Sequence, residues 1–299
     1  MKGIVLAGGR GSRLYPLTFA TCKQLLPLYD KPMIYYPLSV LVMAGISEIL
    51  LICNREDEAS FRSILKDGSQ WGITISFAIQ EEPRGIADAF IVGEEFIGED
   101  SVALILGDNI FSGQNLGRLL LQARELHEGG HIFGYEVERP EQYGVLKLAG
   151  HEIIDIIEKP VSPPSHYAVT GLYFYDNEVI EIAKQLHPSA RGEIEITDIN
   201  RSYLKRGKLN CQLLDRGFAW LDTGSYDTLL AAAHYVQHMQ KRQGIKIGCL
   251  EEEAFRRGFI DSNQLVALAK SHENSEYGQY LKAVATRIDH PELLTSSLG

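Results

Sequence analysis

Glycines and cationic side chains are concentrated at the start of the chain, directly after the apolar run Gly3–Ala7. The glycines are Gly8, Gly9 and Gly11, and the cations are Arg10, Arg13 and Lys23. Glycines at a strand end allow positive φ angles and let backbone N–H groups approach a ligand closely. Because the cations add positive charge at the same place, the pattern predicts an anion-binding turn. A purely structural strand-to-helix turn and a dinucleotide-binding turn remain as alternatives.

Two familiar phosphate-binding motifs do not fit this stretch. A P-loop requires a lysine directly after its last glycine, and none follows the glycines here. A dinucleotide fingerprint requires a third glycine, where Leu14 stands, and an acid at the end of the second strand, where Cys53 and Asn54 stand. Hydride transfer with a nicotinamide cofactor is therefore disfavoured.

Acidic and polar residues follow several later apolar runs. Asp108 lies in G-D-N after Val102–Leu106, and Asp222 lies in F-A-W-L-D-T-G. Mg²⁺ prefers one or two carboxylates together with phosphate oxygens and water, so both acids are candidate ligands. Asp108 could instead cap the following turn, and Asp222 could cap a helix at residues 224–228.

Three further residues at predicted strand ends could face the same crevice. Gln80 is followed by E-E-P-R-G, and Glu158-Lys159 ends a strand candidate at a proline. Ligands of a parallel α/β sheet bind beyond the carboxyl ends of its strands. For Glu158 and Lys159, a surface ion pair is the alternative.

Strand-like and helix-like segments alternate in the first part of the chain. The strand candidates are Gly3–Ala7, Glu48–Cys53, Ile73–Ile79 and Val102–Leu106, and the helical segments are Met33–Ala44, Asp57–Leu65 and Ile86–Phe96. This alternation predicts right-handed βαβ units and a mostly parallel sheet covered on both faces. Pro37 predicts a kink or a boundary within the first helical segment.

After Asn109 the pattern predicts an antiparallel or mixed extension of this sheet. The strand candidates are His131–Val137, Val145–Leu148, Ile153–Ile157, Ala168–Tyr175, Lys208–Leu214 and Phe218–Leu221. The helical candidates are Leu116–Leu126, Glu178–Gln185, Ile196–Arg206 and Tyr226–Gln243, with further short helices from Glu251 onward.

Composition narrows the possible partners of the chain. Its 299 residues carry a formal net charge of −10, which argues against nonspecific binding of nucleic acid or of anionic membranes. The four cysteines are scattered without a C-x-x-C pair, which disfavours a zinc or redox site. No apolar run reaches the length of a membrane span. We expect a cytoplasmic protein with reduced thiols.

Taken together, the motifs resemble the sugar-phosphate nucleotidylyltransferases over nearly the whole chain. The matching stretches are L-A-G-G-R-G-S-R-L-Y-P-L-T at 6–18, K-Q-L-L-P at 23–27, D-K-P-M-I-Y-Y-P-L at 30–38, L-G-D-N-I-F at 106–111, Y-G-V at 143–145, E-K-P at 158–160, V-T-G-L-Y-F-Y-D at 169–176, R-G-E-I-E-I-T-D at 191–198, G-F-A-W-L-D-T-G at 217–224, K-R-Q-G-I-K-I-G-C-L-E-E at 241–252 and Y-G-Q-Y-L at 277–281. The resemblance implies an α/β, three-layer α/β/α Rossmann-like nucleotidyltransferase fold at residues 1–240. It also implies a helical extension at 241–299, packed on the core or on a neighbouring subunit.

The resemblance also implies a reaction and its cofactor. A thymidylyl group would pass from dTTP to glucose-1-phosphate with the help of Mg²⁺, giving dTDP-glucose and pyrophosphate. UTP or a modified hexose-1-phosphate remains an alternative substrate. A non-catalytic homologue that binds nucleotide-sugars is an alternative of a different class.

Roles for individual residues follow from the same resemblance. The triphosphate would be held by Gly8, Gly9, Gly11, Ser12, Arg13 and Lys23, and the base would be read by Gln80 and Gly85. The sugar pocket would be lined by Asn109, Tyr143, Gly144, Glu158 and Val169, while Lys159 would pair with the sugar phosphate. Arg13, Lys23 and Lys159 would be the catalytic cations, and Asp108 and Asp222 the metal ligands.

Some positions depart from the pattern of this family. Ser12 stands where threonine is usual, and Ile86 and Asp88 stand where leucine and glutamine are typical, which leaves substrate preference open. The resemblance also implies a homotetramer with a second nucleotide site, at which the pathway end product dTDP-rhamnose inhibits the enzyme. Glu252 and Arg256 resemble residues of that site, although Glu253 replaces an apolar residue there.

Overall fold

A nine-stranded mixed sheet forms the centre of the protein. The computed structural model describes residues 1–9, 11–125, 127–150 and 152–288. Arg10, the predicted helix end at Leu126 and the part of the predicted extension beyond residue 288 lie outside the described residues. The strands are β1 (Lys2–Ala7), β2 (Pro27–Leu28), β3 (Lys31–Pro32), β4 (Glu48–Cys53), β5 (Thr74–Ile79), β6 (Val102–Leu106), β7 (Asn109–Gly113), β8 (Gly130–Glu136), β9 (Gly144–Ala149), β10 (Glu152–Glu158), β11 (Tyr167–Tyr175), β12 (Leu209–Leu213) and β13 (Phe218–Asp222).

Helices cover both faces of this sheet. They are α1 (Tyr35–Met43), α2 (Glu58–Leu65), α3 (Asp88–Val92), α4 (Glu94–Ile97), α5 (Leu116–Arg124), α6 (Val179–Gln185), α7 (Ile196–Lys205), α8 (Tyr226–Gln243), α9 (Leu250–Arg256), α10 (Ser262–Ser271) and α11 (Glu276–Ile288). One apolar cluster joins the sheet to α1, α2, α5 and the helices after α8, and a second joins it to α3, α6 and α7. The three-layer α/β/α arrangement and the helical C-terminal part are as predicted.

Four parallel strands in the order β6-β1-β4-β5 form one half of the sheet, as the apolar runs predict. Residues buried on both faces make such strands nearly continuous runs of Val, Ile and Leu. Leu6 pairs with Leu106 and Ala7 pairs with Cys53, which in turn pairs with Ile79. The four strands therefore end at the same edge within about a residue of one another.

The other half of the sheet is antiparallel where it joins β6, as the change of pattern after Asn109 predicts. Strand β11 runs antiparallel to β6 and pairs with β8 and β9, while β10 pairs with β9 and β12 runs parallel to β8.

Two local predictions are wrong, and the pairing partner of β13 is not predicted. The helix predicted over 86–96 is divided at Gly93 into α3 and α4. Pro37 causes neither a kink nor a boundary, because it lies in the first turn of α1, where no intrahelical N–H is required. No apolar run predicts strand β7, which pairs with β13 in a separate two-stranded ribbon.

The helices after α8 pack on the same core as the sheet. Leu250, Leu265 and Leu281 are buried in one cluster with residues of α1 and α2. Helix α8 continues through residue 240, so the division into two domains at that residue stays a prediction. No helix in the described ranges has the length and apolar character that crossing a membrane requires.

Buried carboxylates attach the last helix to α9. Glu251 Oε1 accepts a hydrogen bond from Trp71 Nε1 at 3.1 Å, and its Oε2 accepts one from the Tyr277 hydroxyl at 2.5 Å. Glu252 Oε2 accepts from the Tyr280 hydroxyl at 2.5 Å. These bonds link α9 both to the turn before β5 and to α11.

The predicted regulatory pair forms an ion pair within α9. Arg256 donates to Glu252 Oε1 from Nε at 3.0 Å and from a terminal nitrogen at 2.7 Å. Next to this pair, burial and the charge of Glu252 raise the pKa of Glu253 to about 7. A carboxyl at this position therefore stays protonated in the folded protein at pH values where it is ionised in the unfolded chain.

We predict that Glu253→Gln removes a pH dependence of stability. Between the ordinary pKa of 4.5 and about 7, the folded wild type holds a proton that the unfolded chain has lost, so its free energy of unfolding falls as pH rises. The two proteins should be equally stable near pH 4, and the variant should gain about 2–3 kcal/mol by pH 8. Urea unfolding at several pH values measures this difference. The exposed Glu273→Gln serves as the control, and parallel pH curves for wild type and Glu253→Gln would contradict the assignment.

Candidate active site

The glycine loop after β1 is folded back over Lys23. Gly11 has φ = 59°, and a Cβ at this position would lie 3.1 Å from Thr18 Cγ2 and 3.3 Å from Lys23 Cβ. The Thr18 hydroxyl closes the loop by donating to the Gly11 carbonyl oxygen at 2.8 Å. Gly9 has open space where a Cβ would be placed, so its backbone remains accessible. The single turn that follows, Ser12–Leu14, leaves Ser12 and Arg13 exposed.

Lys23 lies between two carboxylates. Its Nζ is 2.6 Å from Asp108 Oδ2 and 4.0 Å from Asp222 Oδ1, and the lysine side chain is almost fully buried. Burial and the nearby charge of Asp108 raise the pKa of Asp222, against the opposing effects of Lys23, Arg13 and Lys159. Five charged residues that lie far apart in the chain therefore act on one small region, namely Arg13, Lys23, Asp108, Lys159 and Asp222.

Both acids lack the structural roles left open by the sequence. The N-cap of α8 is Ser225, which forms a capping box with Thr228, so Asp222 does not cap this helix. Within the described residues, the Asp108 carboxylate accepts hydrogen bonds from Lys23 and from the Asn109 side chain, and from no backbone N–H. Both carboxylates are thus held beside the glycine loop without serving as caps.

Asn109 holds Asp108 in place. Its Nδ2 donates to Asp108 Oδ1 at 2.9 Å, and its Oδ1 accepts from Trp220 Nε1 at 2.6 Å and from the Gly171 N–H at 3.2 Å. The side chain is buried, so its polar atoms are used inside the protein. The ribbon of β7 and β13 places Asn109 opposite Asp222. Trp220 was not predicted as a site residue, and its place depends on this unpredicted strand pairing.

Tyr143 and Lys159 close the next side of the site. The Tyr143 ring packs edge-on against Trp220 at 5.1 Å, and its pKa rises to about 12 through burial and the charges of Asp222 and Asp108. The Lys159 N–H donates to the Tyr143 carbonyl oxygen at 2.9 Å. Lys159 has a left-handed φ of 41°, a conformation that is unusual for lysine and that the surrounding structure must hold in place.

Glu158 is tied to the neighbouring segments by strong hydrogen bonds. Its Oε2 accepts from the Thr197 hydroxyl at 2.5 Å, and its Oε1 lies 3.2 Å from an Arg191 terminal nitrogen and 3.9 Å from Lys159 Nζ. Gly144 is paired with Glu158 across the strands, and a Cβ there would lie 2.9 Å from Thr197 Oγ1. The ion pair of Glu158 with Lys159, which the sequence leaves open as an alternative, is thus present, though long.

Arg191 is a neighbour of the site that no single-residue pattern predicts. It lies 3.0 Å from Glu193 and 3.4 Å from Glu195, in addition to its contact with Glu158. With Glu158 it lines a cavity of about 500 Å³ between β10 and the start of α7. Its only sequence signal is its position in the motif R-G-E-I-E-I-T-D.

Val169 lies on the same side as Asn109. It is a buried residue of β11, two positions before Gly171, whose N–H donates to Asn109. A Cβ at Gly171 would lie 2.4 Å from Asn109 Oδ1, so only glycine leaves room for this contact. The predicted sugar side is therefore formed by β9, β10 and β11, across the edge from the glycine loop.

Gln80 and Gly85 form the opposite side. Gln80 directly follows β5 and packs on the first glycine of the loop, where a Cβ at Gly8 would lie 2.8 Å from Gln80 Oε1. Gly85 has φ = 108°, and a Cβ there would lie 2.5 Å from the Ile194 carbonyl oxygen. The Ile194 N–H also donates to the Arg84 carbonyl oxygen at 2.7 Å. A side chain at position 85 would therefore disrupt the pairing of these two segments.

The acids at the centre fit a hard divalent cation. Asp108 and Asp222 present carboxylate oxygens, and their mutual repulsion is seen in the raised pKa of Asp222. In the described part of the chain, no third His, Cys, Asp or Glu joins them in a possible metal-binding group. Two carboxylates with the remaining positions left to phosphate oxygens and water are the set that Mg²⁺ prefers.

Comparisons with known proteins agree with this geometry. The glucose-1-phosphate thymidylyltransferase of Neisseria meningitidis serogroup A is 56% identical over 94% of this chain and 98% of its own length. The enzyme of the same name from Mycolicibacterium smegmatis is 53% identical over 96% of this chain and 100% of its own length.

Solved structures share the fold. A Bacillus anthracis protein named as a glucose-1-phosphate thymidylyltransferase and crystallised with a sucrose is 42% identical, with a TM-score of 0.74 over 79% of this chain and 94% of that one. A UDP-glucose pyrophosphorylase complexed with UDP-glucose is 25% identical, with a TM-score of 0.71 over 79% of this chain and 98% of that one. Residues 2–239 match the nucleotidyl transferase family. The chain belongs to this family of nucleotidyl transferases.

Proposed function

We propose that the protein transfers a thymidylyl group from dTTP to glucose-1-phosphate, releasing dTDP-glucose and pyrophosphate. The observation that carries this proposal is the placement of Lys23 between Asp108 and Asp222, directly beneath the glycine loop. Relatives with this activity in their names are 52–56% identical over nearly the whole chain. The activity expected from the sequence is the one for which these relatives are named.

The nucleotide side of the site comprises the loop and the end of β5. The backbone of Gly8, Gly9 and Gly11 and the hydroxyl of Ser12 hold the triphosphate, with Arg13 and Lys23 supplying positive charge. Gln80 and Gly85 read the base. The close packing of Gln80 on Gly8 supports this division, because a base attached to phosphates in the loop would reach the end of β5.

The sugar side lies across the sheet edge. Tyr143, Gly144, Glu158 and Val169 line the sugar pocket, and Lys159 pairs with the phosphate of the sugar. We assign Asn109 to the wall of this pocket and to positioning Asp108, because its polar atoms are already bonded to Asp108, Trp220 and Gly171. Lys159 is half-exposed, lies close to Glu158, and its charge acts on the Asp222 carboxyl. This position supports a role of Lys159 at the reacting phosphate.

Asp108 and Asp222 would hold Mg²⁺. When bound, this ion neutralises phosphate charge and stabilises the leaving pyrophosphate. The two carboxylates also explain why Lys23 must be close by, because without a cation they repel one another.

The residues of the chain perform the displacement mainly through charge and position. An oxygen of the sugar phosphate attacks the α-phosphorus of dTTP while the bond to pyrophosphate breaks in line with it. Two anions must approach each other, so Arg13, Lys23 and Lys159 offset their repulsion and stabilise the transition state. The attacking oxygen is already anionic, so no general base is required. Holding both substrates in line supplies the remaining rate acceleration.

Two alternatives are less well supported. The likeness to a UDP-glucose pyrophosphorylase, at 25% identity, favours UTP less than the 56% identity to a thymidylyltransferase favours dTTP. A non-catalytic binding homologue would have no need of the charged set Arg13, Lys23, Asp108 and Asp222.

Assembly into a homotetramer and regulation through Glu252 and Arg256 stay predictions. Sedimentation and inhibition by dTDP-rhamnose test them.

A matrix of nucleotides and sugar phosphates tests the proposed function. With Mg²⁺, pyrophosphate release should be fastest for dTTP with glucose-1-phosphate, and removal of the metal with EDTA should abolish it. The matrix includes UTP and other hexose-1-phosphates, with kcat/KM compared for each pair. Fastest turnover with UTP would support the alternative nucleotide, and no turnover with any pair would refute the proposal.

We predict that Lys23→Ala lowers kcat at least tenfold, because it removes a cation that offsets charge at the reacting phosphates. Steady-state kinetics at saturating Mg²⁺ measures the effect, and circular dichroism checks that the fold is intact. Lys270→Ala, an exposed lysine of α10, is the matched control and should retain full activity. Turnover of Lys23→Ala close to that of the wild type would reject Lys23 as a transition-state contact.

A further inference from the structure

A fully buried carboxylate lies behind the base-reading side of the site. Asp88 begins α3 and has no exposed surface. Its Oδ2 accepts a hydrogen bond from Gln80 Nε2 at 2.8 Å, and its Oδ1 accepts one from a terminal nitrogen of Arg84 at 2.7 Å. Asp88 contributes nothing to the phosphate chemistry proposed above. Its burial beside Gln80 is therefore not explained by that chemistry.

The carboxylate determines which way the Gln80 amide faces. An ionised carboxylate can only accept hydrogen bonds, so Gln80 must turn its NH₂ group toward Asp88. The amide oxygen then faces away from Asp88 and lies over Gly8, at 2.8 Å from the position that a Cβ of Gly8 would occupy. No residue among those described donates a hydrogen bond to this oxygen. Gln80 therefore presents a free acceptor beside the glycine loop.

We propose that Asp88 is a positioning residue that sets the choice of pyrimidine base. This inference rests on the proposed function, in which Gln80 reads the base. An acceptor at Gln80 Oε1 matches the ring N–H that thymine and uracil carry between two carbonyl groups. Cytosine has an unprotonated acceptor nitrogen at the same ring position, so two acceptors would face each other without a hydrogen bond. Asp88 thus favours thymine and uracil over cytosine without touching the base.

Arg84 makes the orientation of the Gln80 amide sensitive to the replacement of one Asp88 carboxylate oxygen by an NH₂ group. In Asp88→Asn, the guanidinium of Arg84 can only donate hydrogen bonds, so it favours the amide oxygen of the new side chain over its NH₂ group. The new NH₂ group then faces Gln80, and the Gln80 amide turns over to accept from it. The NH₂ group of Gln80 would now face the base, which opposes the ring N–H of thymine and suits the ring nitrogen of cytosine.

The experiment compares kcat/KM for dTTP, dUTP and dCTP with glucose-1-phosphate. For Asp88→Asn, the ratio of dTTP to dCTP should fall at least tenfold, the size expected when a buried hydrogen bond is replaced by an unpaired contact. The ratio of dTTP to dUTP should not change, because these bases differ only in a methyl group. Thermal unfolding checks the fold of each variant.

Variants of Arg84 separate orientation from general damage. Arg84→Ala alone should keep the wild-type ratio, because the carboxylate of Asp88 still orients Gln80. In the double variant Arg84→Ala/Asp88→Asn, the new amide is free to turn its oxygen toward Gln80, so the preference for dTTP over dCTP should return. A purely structural role of Asp88 predicts further loss in the double variant instead of recovery.

Several results would overturn the inference. An unchanged ratio of dTTP to dCTP in Asp88→Asn would do so, as would equal losses for all three nucleotides. If Asp88→Asn does not fold, Gln80→Leu replaces it, and full discrimination against dCTP in that variant contradicts the inference. Dissociation constants for dTTP and dCTP, measured by calorimetry without sugar, give the same ratio in the absence of turnover. An inactive wild type would therefore refute only the proposed function.

Discussion

Two carboxylates and one buried ammonium group impose the main constraint on this structure. Asp108 lies in the turn between β6 and β7 and Asp222 is the last residue of β13, yet both lie within 4.0 Å of Lys23 Nζ. Removing charges from water is costly, and mutual attraction repays this cost only when geometry is good. The raised pKa of Asp222 indicates that the protein alone does not fully compensate for this loss of hydration. A bound divalent cation and anionic substrates would add the missing favourable interactions. The site is therefore organised for binding ligands more than for stability.

The surrounding scaffold keeps these charges in place. The parallel register of β1 and β6 sets the glycine loop beside Asp108, and the ribbon of β7 and β13 sets Asp222 opposite Asn109. The Asn109 side chain donates to Asp108 and accepts from Trp220 and from the Gly171 N–H of β11. These bonds hold Asp108 in place and join it to β11 and Trp220. The Thr223 hydroxyl adds a bond to the Asp108 backbone carbonyl at 3.0 Å. Such satisfied buried networks limit the positions that catalytic groups can adopt.

Local patterns predicted most of the fold and the convergence of the charged residues. Parallel strands are buried on both faces, so they read as apolar runs, and their carboxyl ends must meet at one edge. The local pattern does not predict strand β7, because N-I-F-S-G is not a continuous apolar run and its partner β13 lies far away in the chain. The bonding of Asn109 and the contact of Arg191 with Glu158 depend on that kind of non-local pairing. No pattern of neighbouring residues encodes it.

The C-terminal helices also bear on the site, through the hairpin of β2 and β3 that follows Lys23. Lys31 in this hairpin is buried, and its ammonium group donates to the Ile247 carbonyl oxygen at 3.0 Å and to Asp30 at 2.6 Å. Lys246 donates to the other oxygen of Asp30 at 2.5 Å. Burial lowers the pKa of Lys31, so this connection also carries a desolvation cost. Because the hairpin begins two residues after the turn that contains Lys23, the segment that leads into α9 helps to hold in place the ammonium group on which the two carboxylates depend.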